Sequence, residues 1–153
     1  MTVAYDLDGV LCEAPPANHK PWRKMKGPER AAHQDMLKDW YGKAKGLYWP
    51  TERAFHVITA RSEANRAITE RWLARHFGGK NAREVVELHM FSGARTIANV
   101  VEYKARVLKR IKATDYSEDN RDVVRALRRA VPECRVWHYK NGQMLLDYRE
   151  APL

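Results

Sequence analysis

Two aspartates near the start of the chain, Asp6 and Asp8, are the first residues whose types and spacing suggest chemistry. They come directly after the apolar run Val3-Ala4-Tyr5, and Gly9 follows at once, which predicts a buried strand that ends in a tight turn. Alternate residues of a strand point to the same side, so both carboxylates would project together if the backbone stays extended that far. Two carboxylates this close need a cation or a shared proton. The spacing therefore predicts either a divalent metal site or a nucleophile paired with an acid.

This stretch has two other interpretations. Asp-x-Asp also opens calcium-binding loops, but those loops are polar throughout, whereas Val10 and Leu11 follow here, so we set calcium aside. The other alternative is a pair of solvated aspartates in a turn. The choice among these interpretations depends on whether later segments of the chain place further functional side chains beside Asp6 and Asp8.

Further candidates lie at the ends of later predicted elements. Thr59 follows the short apolar strand 54–58 and precedes a helix predicted over 63–76, so its hydroxyl and the first helical amides could bind one phosphoryl oxygen. A threonine in that position is also a common helix N-cap. Glu118 and Asp119 end a short polar strand that begins near residue 113, and a metal site opposite Asp6 and Asp8 requires such acids. Lys104 lies on an amphipathic helix predicted over 97–111, where periodicity alone favours a solvated surface lysine.

The elements that must position these residues alternate along the chain. Further strands are predicted over 85–90 and 134–139, a helix over 122–130, and a hairpin turn at Asn141-Gly142. Strands that alternate with helices predict a parallel sheet covered on both faces, with functional groups at the carboxyl ends of the strands. A chain of 153 residues is expected to form one domain, 1–153.

An insert over about 13–53 differs from the rest of the chain. It contains nine basic residues against five acidic ones, several aromatic residues, and one predicted helix over 29–45. Basic residues interleaved with aromatics can hold a phosphodiester backbone and stack on bases. Alternatively, Trp40 and Trp49 simply pack the insert onto the core while the lysines are solvated.

Overall composition limits the possible partners and locations. The net charge of +9 favours polyanionic partners, whose phosphates attract Lys and Arg over long distances. No apolar run is long enough to cross a membrane and no signal segment is evident, so we expect a cytoplasmic protein without membrane association. Cys12 and Cys134 are expected to be small buried side chains rather than a disulfide or metal ligands.

The stretch Asp6-Leu7-Asp8-Gly9-Val10-Leu11 after an apolar strand resembles motif I of the haloacid dehalogenase-type phosphohydrolase superfamily. Thr59, Lys104 and Glu118-Asp119 stand in the order of the three remaining motifs. More closely, the chain is similar to the phosphatase domain of polynucleotide kinases, and more distantly to deoxyribonucleotidases. The residues that carry this closer similarity are Ile58-Thr59-Ala60-Arg61-Ser62, Thr69, Trp72-Leu73, His76, Glu87-Leu88-His89-Met90, Lys104 and Glu118 to Val124.

This resemblance implies a fold and an activity. The implied fold is α/β, a haloacid dehalogenase-like Rossmannoid three-layer sandwich with a parallel sheet and a small cap insert after the first strand. The implied activity is Mg²⁺-dependent phosphomonoester hydrolysis through an aspartyl phosphate on Asp6, with Asp8 as general acid and base. Thr59 would bind a phosphoryl oxygen and Lys104 would balance charge in the transition state. Arg61 would help to hold the substrate, although a surface salt bridge is an equally good interpretation.

The resemblance also implies the metal ligands. Mg²⁺ would be held by Asp6, by the backbone carbonyl of Asp8, and by Asp119 or Glu118. The family usually has two aspartates at the last motif, so the Glu118-Asp119 pair leaves open which of them binds the metal. It usually has Arg after the Leu-His-Met run, where this chain has Phe91.

Three functions remain in competition. The first is a phosphatase for terminal phosphates of nucleic acid, favoured by the charge and the insert. The second is a 5'(3')-nucleotidase or another small-molecule phosphatase. The third is an inactive nucleic-acid-binding module, against which the complete set of candidate catalytic residues argues. A kinase half is not expected, because the chain lacks a Gly-x-x-x-x-Gly-Lys-[Ser/Thr] loop. The sequence leaves open the oligomeric state, the phosphate end, and the choice between DNA and RNA.

Overall fold

The computed structural model describes residues 1–16 and 22–146, in which six strands and four helices alternate. Residues 17–21, which belong to the predicted basic insert, and the tail after Leu146 lie outside this description. A 3₁₀ turn precedes each of the first two helices, at Trp22–Lys24 and Glu63–Asn65. The elements are β1 Val3–Tyr5, α1 Gly27–Lys43, β2 Ala54–Ser62, α2 Arg66–Phe77, β3 Glu84–Phe91, α3 Ile97–Arg110, β4 Asp115–Glu118, α4 Arg121–Ala130, β5 Arg135–Lys140 and β6 Gln143–Leu145.

The strands form one mostly parallel sheet in the order β3-β2-β1-β4-β5-β6. Only the last pair, β5 with β6, is antiparallel. The chain moves outward from β1 to β2 and β3 on one side, then returns to β4 and β5 on the other. The boundary between β1 and β4 is therefore a topological switch point, where sheets of this kind commonly bind ligands. The predicted α/β class and parallel sheet are confirmed.

Helices cover both faces of the sheet because its inner strands are apolar on both sides. One apolar cluster joins Ile58 to α3 and α4 through side chains such as Leu108 and Leu127. The other joins Val57 to α2 through Phe77 and neighbouring side chains. Adjacent residues of β2 thus serve opposite layers, which is the pattern of a strand buried on both faces. None of the helices in the described ranges is long and apolar enough to span a bilayer.

Local sequence signals explain where several elements begin and end. The Thr96 hydroxyl caps α3 by accepting the Asn99 amide at 3.1 Å, and Asn120 caps α4 through the amides of Asp122 and Val123. The predicted hairpin joins β5 to β6, and its two central residues have positive φ angles, 51° and 78°, as a two-residue turn of this kind requires.

Strand β2 is longer than the sequence predicted. We expected Thr59 to Ser62 to end it, but Ser62 still pairs with Phe91, and α2 begins only at Arg66 after the 3₁₀ turn. That expectation is wrong because β3 extends to Phe91, so a partner strand is present along the whole of β2. Irregular register between Ile58 and Ser62 accompanies this extension.

The end of the insert is fastened to the domain by hydrogen bonds. Helix α1 ends two residues before the predicted boundary, since Ala44 is already extended. The Ala44 carbonyl accepts the Trp72 indole N–H at 2.8 Å, and the Gly42 carbonyl accepts Arg75 Nη2 at 2.6 Å. Beyond them, the Glu13 amide donates to the Lys45 carbonyl at 2.9 Å. The bonds of Trp72 and Arg75 hold the C-terminal end of α1 against α2.

Candidate active site

Three carboxylates meet at the switch point between β1 and β4. Asp6 directly follows β1, Glu118 ends β4, and Asp119 comes next. The two strands run in parallel with Tyr5 beside Ser117, and the Asp6 amide donates to the Ser117 carbonyl at 2.9 Å, so their carboxyl ends lie side by side. One carboxylate oxygen from each acid lies within 4.8 Å of the others. The predicted proximity of Asp6 to Glu118 and Asp119 therefore holds.

Lys104 reaches this cluster from α3 and is almost fully buried. Its Nζ lies 2.6 Å from Glu118 Oε2 and 3.2 Å from Asp6 Oδ1. Only 2% of the residue is exposed, so the interpretation as a solvated surface lysine is wrong. A buried ammonium is costly unless it is paired. Its two carboxylate partners provide the pairing, and they raise its pKa above the usual value against the opposing effect of burial.

The Glu118 carboxylate is occupied by partners on both oxygens. Oε2 accepts Lys104 and the Tyr116 hydroxyl, the latter at 2.9 Å, while Oε1 accepts the backbone amides of Asp119 and Asn120 at 3.2 Å. Burial acts to raise the pKa of Glu118, but Lys104 and hydrogen bonds from neighbouring side chains outweigh it and lower the pKa to about 2. Glu118 is thus a fixed negative charge that anchors Lys104.

The negative charges of Asp6 and Asp119 are less well compensated than that of Glu118. Burial, followed by the charge of Glu118, raises the pKa of Asp6 well above its ordinary value, although Lys104 opposes the rise. The same two causes raise the pKa of Asp119 to about 7. One lysine does not balance three clustered carboxylates, so the cluster is suited to a cation. Its oxygen donors fit a hard divalent ion, with Asp6 and Asp119 as the less committed ligands.

Gly9 leaves the space into which the Asp119 carboxylate fits. Its φ of +85° is rarely adopted by other residues, and a Cβ built on it would collide with Asp119 Oδ2. The glycine after the first motif is therefore required both by the turn and by the close approach of the last motif. The sequence predicted the turn but not the contact.

Asp8 points to a different partner from Asp6. Arg61 holds its carboxylate with two hydrogen bonds, from Nε at 2.9 Å and from Nη2 at 2.7 Å. Strand β1 ends at Tyr5, so the strict alternation that would keep the two aspartates together does not continue. Within the described part of the chain, the Asp8 side chain is not among the carboxylates grouped around Asp6.

Arg61 is a buried residue that connects three parts of the molecule. It is 1% exposed, so its interpretation as a surface salt bridge is wrong. Besides Asp8, it donates Nη1 to Thr69 Oγ1 at 3.0 Å, and its guanidinium carbon lies 3.7 Å from the centre of the Tyr41 ring. Tyr41 belongs to α1, so the insert contacts the site directly through this stacking. Tyr41 is one of the aromatic residues interleaved with basic ones in the insert, but nothing in the sequence indicated that it contacts Arg61.

Thr59 lies inside β2 rather than at a helix start. Its hydroxyl oxygen accepts the Arg61 amide at 3.1 Å, and the residue is 1% exposed. The expected convergence of the hydroxyl with the first amides of a helix is wrong, because three strand residues and the 3₁₀ turn separate Thr59 from α2. Its hydroxyl proton can still be donated to an oxygen.

The insert contains both packed and exposed aromatic side chains. The Trp40 indole donates to the Glu13 carbonyl at 3.2 Å, which is a contact within the insert. The Trp49 ring packs 5.1 Å from that of Phe77, as the simpler interpretation holds, although 39% of Trp49 stays exposed. Trp22 is 45% exposed, with the Arg30 guanidinium 5.1 Å above its ring. Trp22 and Trp49 are thus the exposed tryptophans in the described part of the insert.

The two cysteines are buried and unpaired, as predicted. Cys12 lies beneath the Asp8–Arg61 pair, where its Sγ is 3.5 Å from Arg61 Nη2. Burial raises the pKa of both thiols, that of Cys134 to about 12, which favours their unreactive form.

Comparisons with protein families, with curated proteins and with solved structures found no significant match for this chain.

Proposed function

We propose that this protein is a Mg²⁺-dependent phosphomonoester hydrolase of the haloacid dehalogenase type that acts through an aspartyl phosphate, with terminal phosphates of nucleic acid as its substrates. One observation carries the proposal. Asp6 lies at the switch point of the sheet, beside a buried lysine and two further carboxylates, where a nucleophile, a cation site and a charge-balancing group are all needed for phosphoryl transfer.

Asp6 is the proposed nucleophile. Its carboxylate attacks phosphorus, an aspartyl phosphate forms, and the bond from phosphorus to the ester oxygen breaks. A water molecule then attacks the phosphorus of that intermediate, which releases inorganic phosphate and regenerates the carboxylate. Lys104, held 3.2 Å from Asp6 Oδ1 by its second bond to Glu118, offsets negative charge beside the attacking oxygen.

Asp8 is the proposed acid and base. It gives its proton to the leaving oxygen and later takes one from the attacking water. Because Arg61 now binds both Asp8 oxygens, proton transfer requires that this pairing loosen. The substrate's phosphate is itself a good ligand for a guanidinium, so substrate binding can draw Arg61 away from Asp8. This exchange would give Arg61 its substrate-binding role.

Asp6 and Asp119 would hold Mg²⁺, with the Asp8 carbonyl as a further ligand. When bound, the ion supplies positive charge that offsets the repulsion between Asp6 and the phosphate dianion. The raised pKa values of Asp6 and Asp119 support this choice, because burial and the nearby Glu118 leave both groups short of positive charge. Glu118 is assigned to Lys104 rather than to the metal, since both of its oxygens already accept hydrogen bonds.

Nucleic acid is preferred as the substrate class on two grounds. The net charge of +9 favours a polyanion, and the insert that contacts Arg61 also exposes Trp22 with Arg30 above it. A free nucleotide would use the same cluster without these surface groups. The two substrates differ in salt dependence, because only one that contacts several phosphates loses affinity steeply as salt rises.

The test is phosphate release, with Mg²⁺, from a 3'-phosphorylated oligonucleotide, a 5'-phosphorylated oligonucleotide and a panel of nucleoside monophosphates. Asp6→Asn should abolish release, whereas Asp35→Asn, on the exposed face of α1, should leave it unchanged. Preference for the monophosphates with little salt dependence would transfer the assignment to a nucleotidase. Oligonucleotide binding without phosphate release from any substrate would refute the enzyme and favour a binding module.

A further inference from the structure

A second group of metal-binding side chains lies on the edge of the sheet away from β4. His56 comes from β2, and Glu87 and His89 come from the edge strand β3. His56 Nδ1 lies 3.0 Å from His89 Nε2, which is 3.6 Å from Glu87 Oε1. One ligand atom from each of the three residues lies within 4.8 Å of the others.

The register of β2 and β3 brings these residues together. Phe55 pairs with Val85 but Val57 pairs with Leu88, so two residues of β3 lie opposite His56 alone. This is a bulge, a feature that redirects side chains and often occurs beside functional sites. His89 then pairs with Ile58, two residues beyond His56, so the two imidazoles lie on the same face.

Burial favours the neutral form of both imidazoles, which is the form that binds a metal. Burial lowers the pKa of both His56 and His89. His89 is only 5% exposed. A neutral imidazole offers a lone pair that a protonated one lacks. Glu87 is different, since 59% of its side chain is exposed and it can turn toward an ion without loss of packing.

We propose that His56, Glu87 and His89 form a binding site for a transition-metal ion of the Zn²⁺ type. A tetrahedral zinc site with bonds of about 2.0–2.1 Å places its ligand atoms about 3.3 Å apart. The observed separations of 3.0 Å and 3.6 Å lie on either side of that value. Two nitrogens and one oxygen suit Zn²⁺ and leave a fourth position for water, whereas Mg²⁺ prefers the oxygen-only cluster at Asp6.

Arg110 is the competing partner at this site. Its Nη2 lies 3.1 Å from His89 Nδ1, and an arginine can only donate, so His89 Nδ1 accepts and the ring proton is on Nε2. Metal binding at Nε2 moves that proton to Nδ1, and Arg110 must then turn away. This is feasible because Arg110 is exposed at the end of α3. Removing its charge should therefore strengthen metal binding.

The proposal is tested by titrating the intact protein with Zn²⁺ by calorimetry, in excess Mg²⁺ to occupy the carboxylate cluster. Glu87→Gln and His56→Gln should each weaken the tighter Zn²⁺ site by at least about 10-fold, since even residues behind metal ligands contribute that much. His33→Gln, a histidine of α1 outside the group, is the matched control and should bind as the wild type does. Arg110→Met should bind Zn²⁺ severalfold more tightly.

Co²⁺ gives a second readout that reports the ligands directly. Intense visible absorption bands typical of tetrahedral coordination should form with the wild type and with Asp119→Asn, and be lost in Glu87→Gln. Because Glu87 is exposed, that variant is expected to fold, which circular dichroism checks. No Zn²⁺ binding by the wild type, or binding and spectra that are unchanged in Glu87→Gln and His56→Gln, would overturn the proposal and leave the group as a hydrogen-bonded chain.

Discussion

Lys104→Met gives the sharpest test of the site, because its outcome does not depend on which substrate is used. The substitution keeps most of the apolar stem but removes the ammonium that lies 2.6 Å from Glu118 and 3.2 Å from Asp6. Breaking one side of a buried ion pair leaves the opposite charges uncompensated and typically costs about 3–5 kcal/mol. We expect a loss of this size in the free energy of unfolding at neutral pH, measured by urea denaturation without added metal.

The matched control is Lys109→Met on the same helix. Lys109 is exposed, so its replacement should change the stability by less than about 0.5 kcal/mol. The two variants carry the same change in composition and net charge, and they differ only in where the charge is removed. A Lys104→Met variant that is no less stable than Lys109→Met would refute the argument that the buried ammonium is required by the carboxylates.

The same variant should respond to pH in a defined direction. Burial and Glu118 raise the pKa of Asp6 while Lys104 lowers it, so removal of Lys104 raises it further. A carboxyl whose pKa is higher in the folded protein binds its proton preferentially there, and the stability from that proton is lost as pH rises through the folded pKa. The loss caused by Lys104→Met should therefore be smaller at about pH 5.5 than at about pH 7.5. An equal loss at both would contradict the assigned cause.

Three further outcomes follow from the same geometry. Gly9→Ala should reduce the free energy of unfolding by at least about 1 kcal/mol, because the new methyl group strains a positive φ and collides with Asp119. Gly27→Ala, which has open space around it, should be tolerated, and equal urea midpoints for the two variants would contradict this. Arg61→Lys should cost about 1.5–3 kcal/mol in urea unfolding, because lysine cannot reproduce both hydrogen bonds to Asp8, and an unchanged midpoint would count against the buried pair. Mg²⁺ at about 100 times its Kd should stabilise the wild type by about 2.7 kcal/mol in thermal or urea unfolding, and it should stabilise Asp119→Asn far less. Equal stabilisation of the two proteins would show that Asp119 does not bind the metal.

Much of the fold could be predicted from the sequence because its signals are local. Apolar runs of strand length alternate with helical patterns, and residues such as Thr96, Asn120 and the Asn141-Gly142 pair mark ends and turns through their own backbone chemistry. The end of β2 could not be found in this way. Whether Ser62 continues a strand depends on Phe91, which pairs with it from elsewhere in the chain.

The buried charges show the same limit at the site. Periodicity alone favours a solvated Lys104, because the two carboxylates that pair with it, Asp6 and Glu118, are distant from it in sequence. Arg61 raised the same difficulty. Tyr116 lies two residues before Glu118 on the same strand, so strand alternation puts both side chains on one face. The hydrogen bond between them could therefore be predicted from the sequence once Glu118 is assigned to the site. The His56–His89 contact required the register of β2 with β3, bulge included.

The electrostatics of the carboxylate cluster constrain any mechanism proposed for it. Asp6 must be ionised to attack phosphorus, yet burial and Glu118 favour its protonated form even with Lys104 in contact. An incoming phosphate adds further negative charge, so the resident lysine cannot be sufficient at the moment of reaction. Positive charge is lacking between Asp6 and Asp119, because the Glu118 oxygens already accept hydrogen bonds from Lys104 and from backbone amides. The proposed divalent ion, held between those two aspartates, would supply the second positive charge that the raised pKa values of both groups call for.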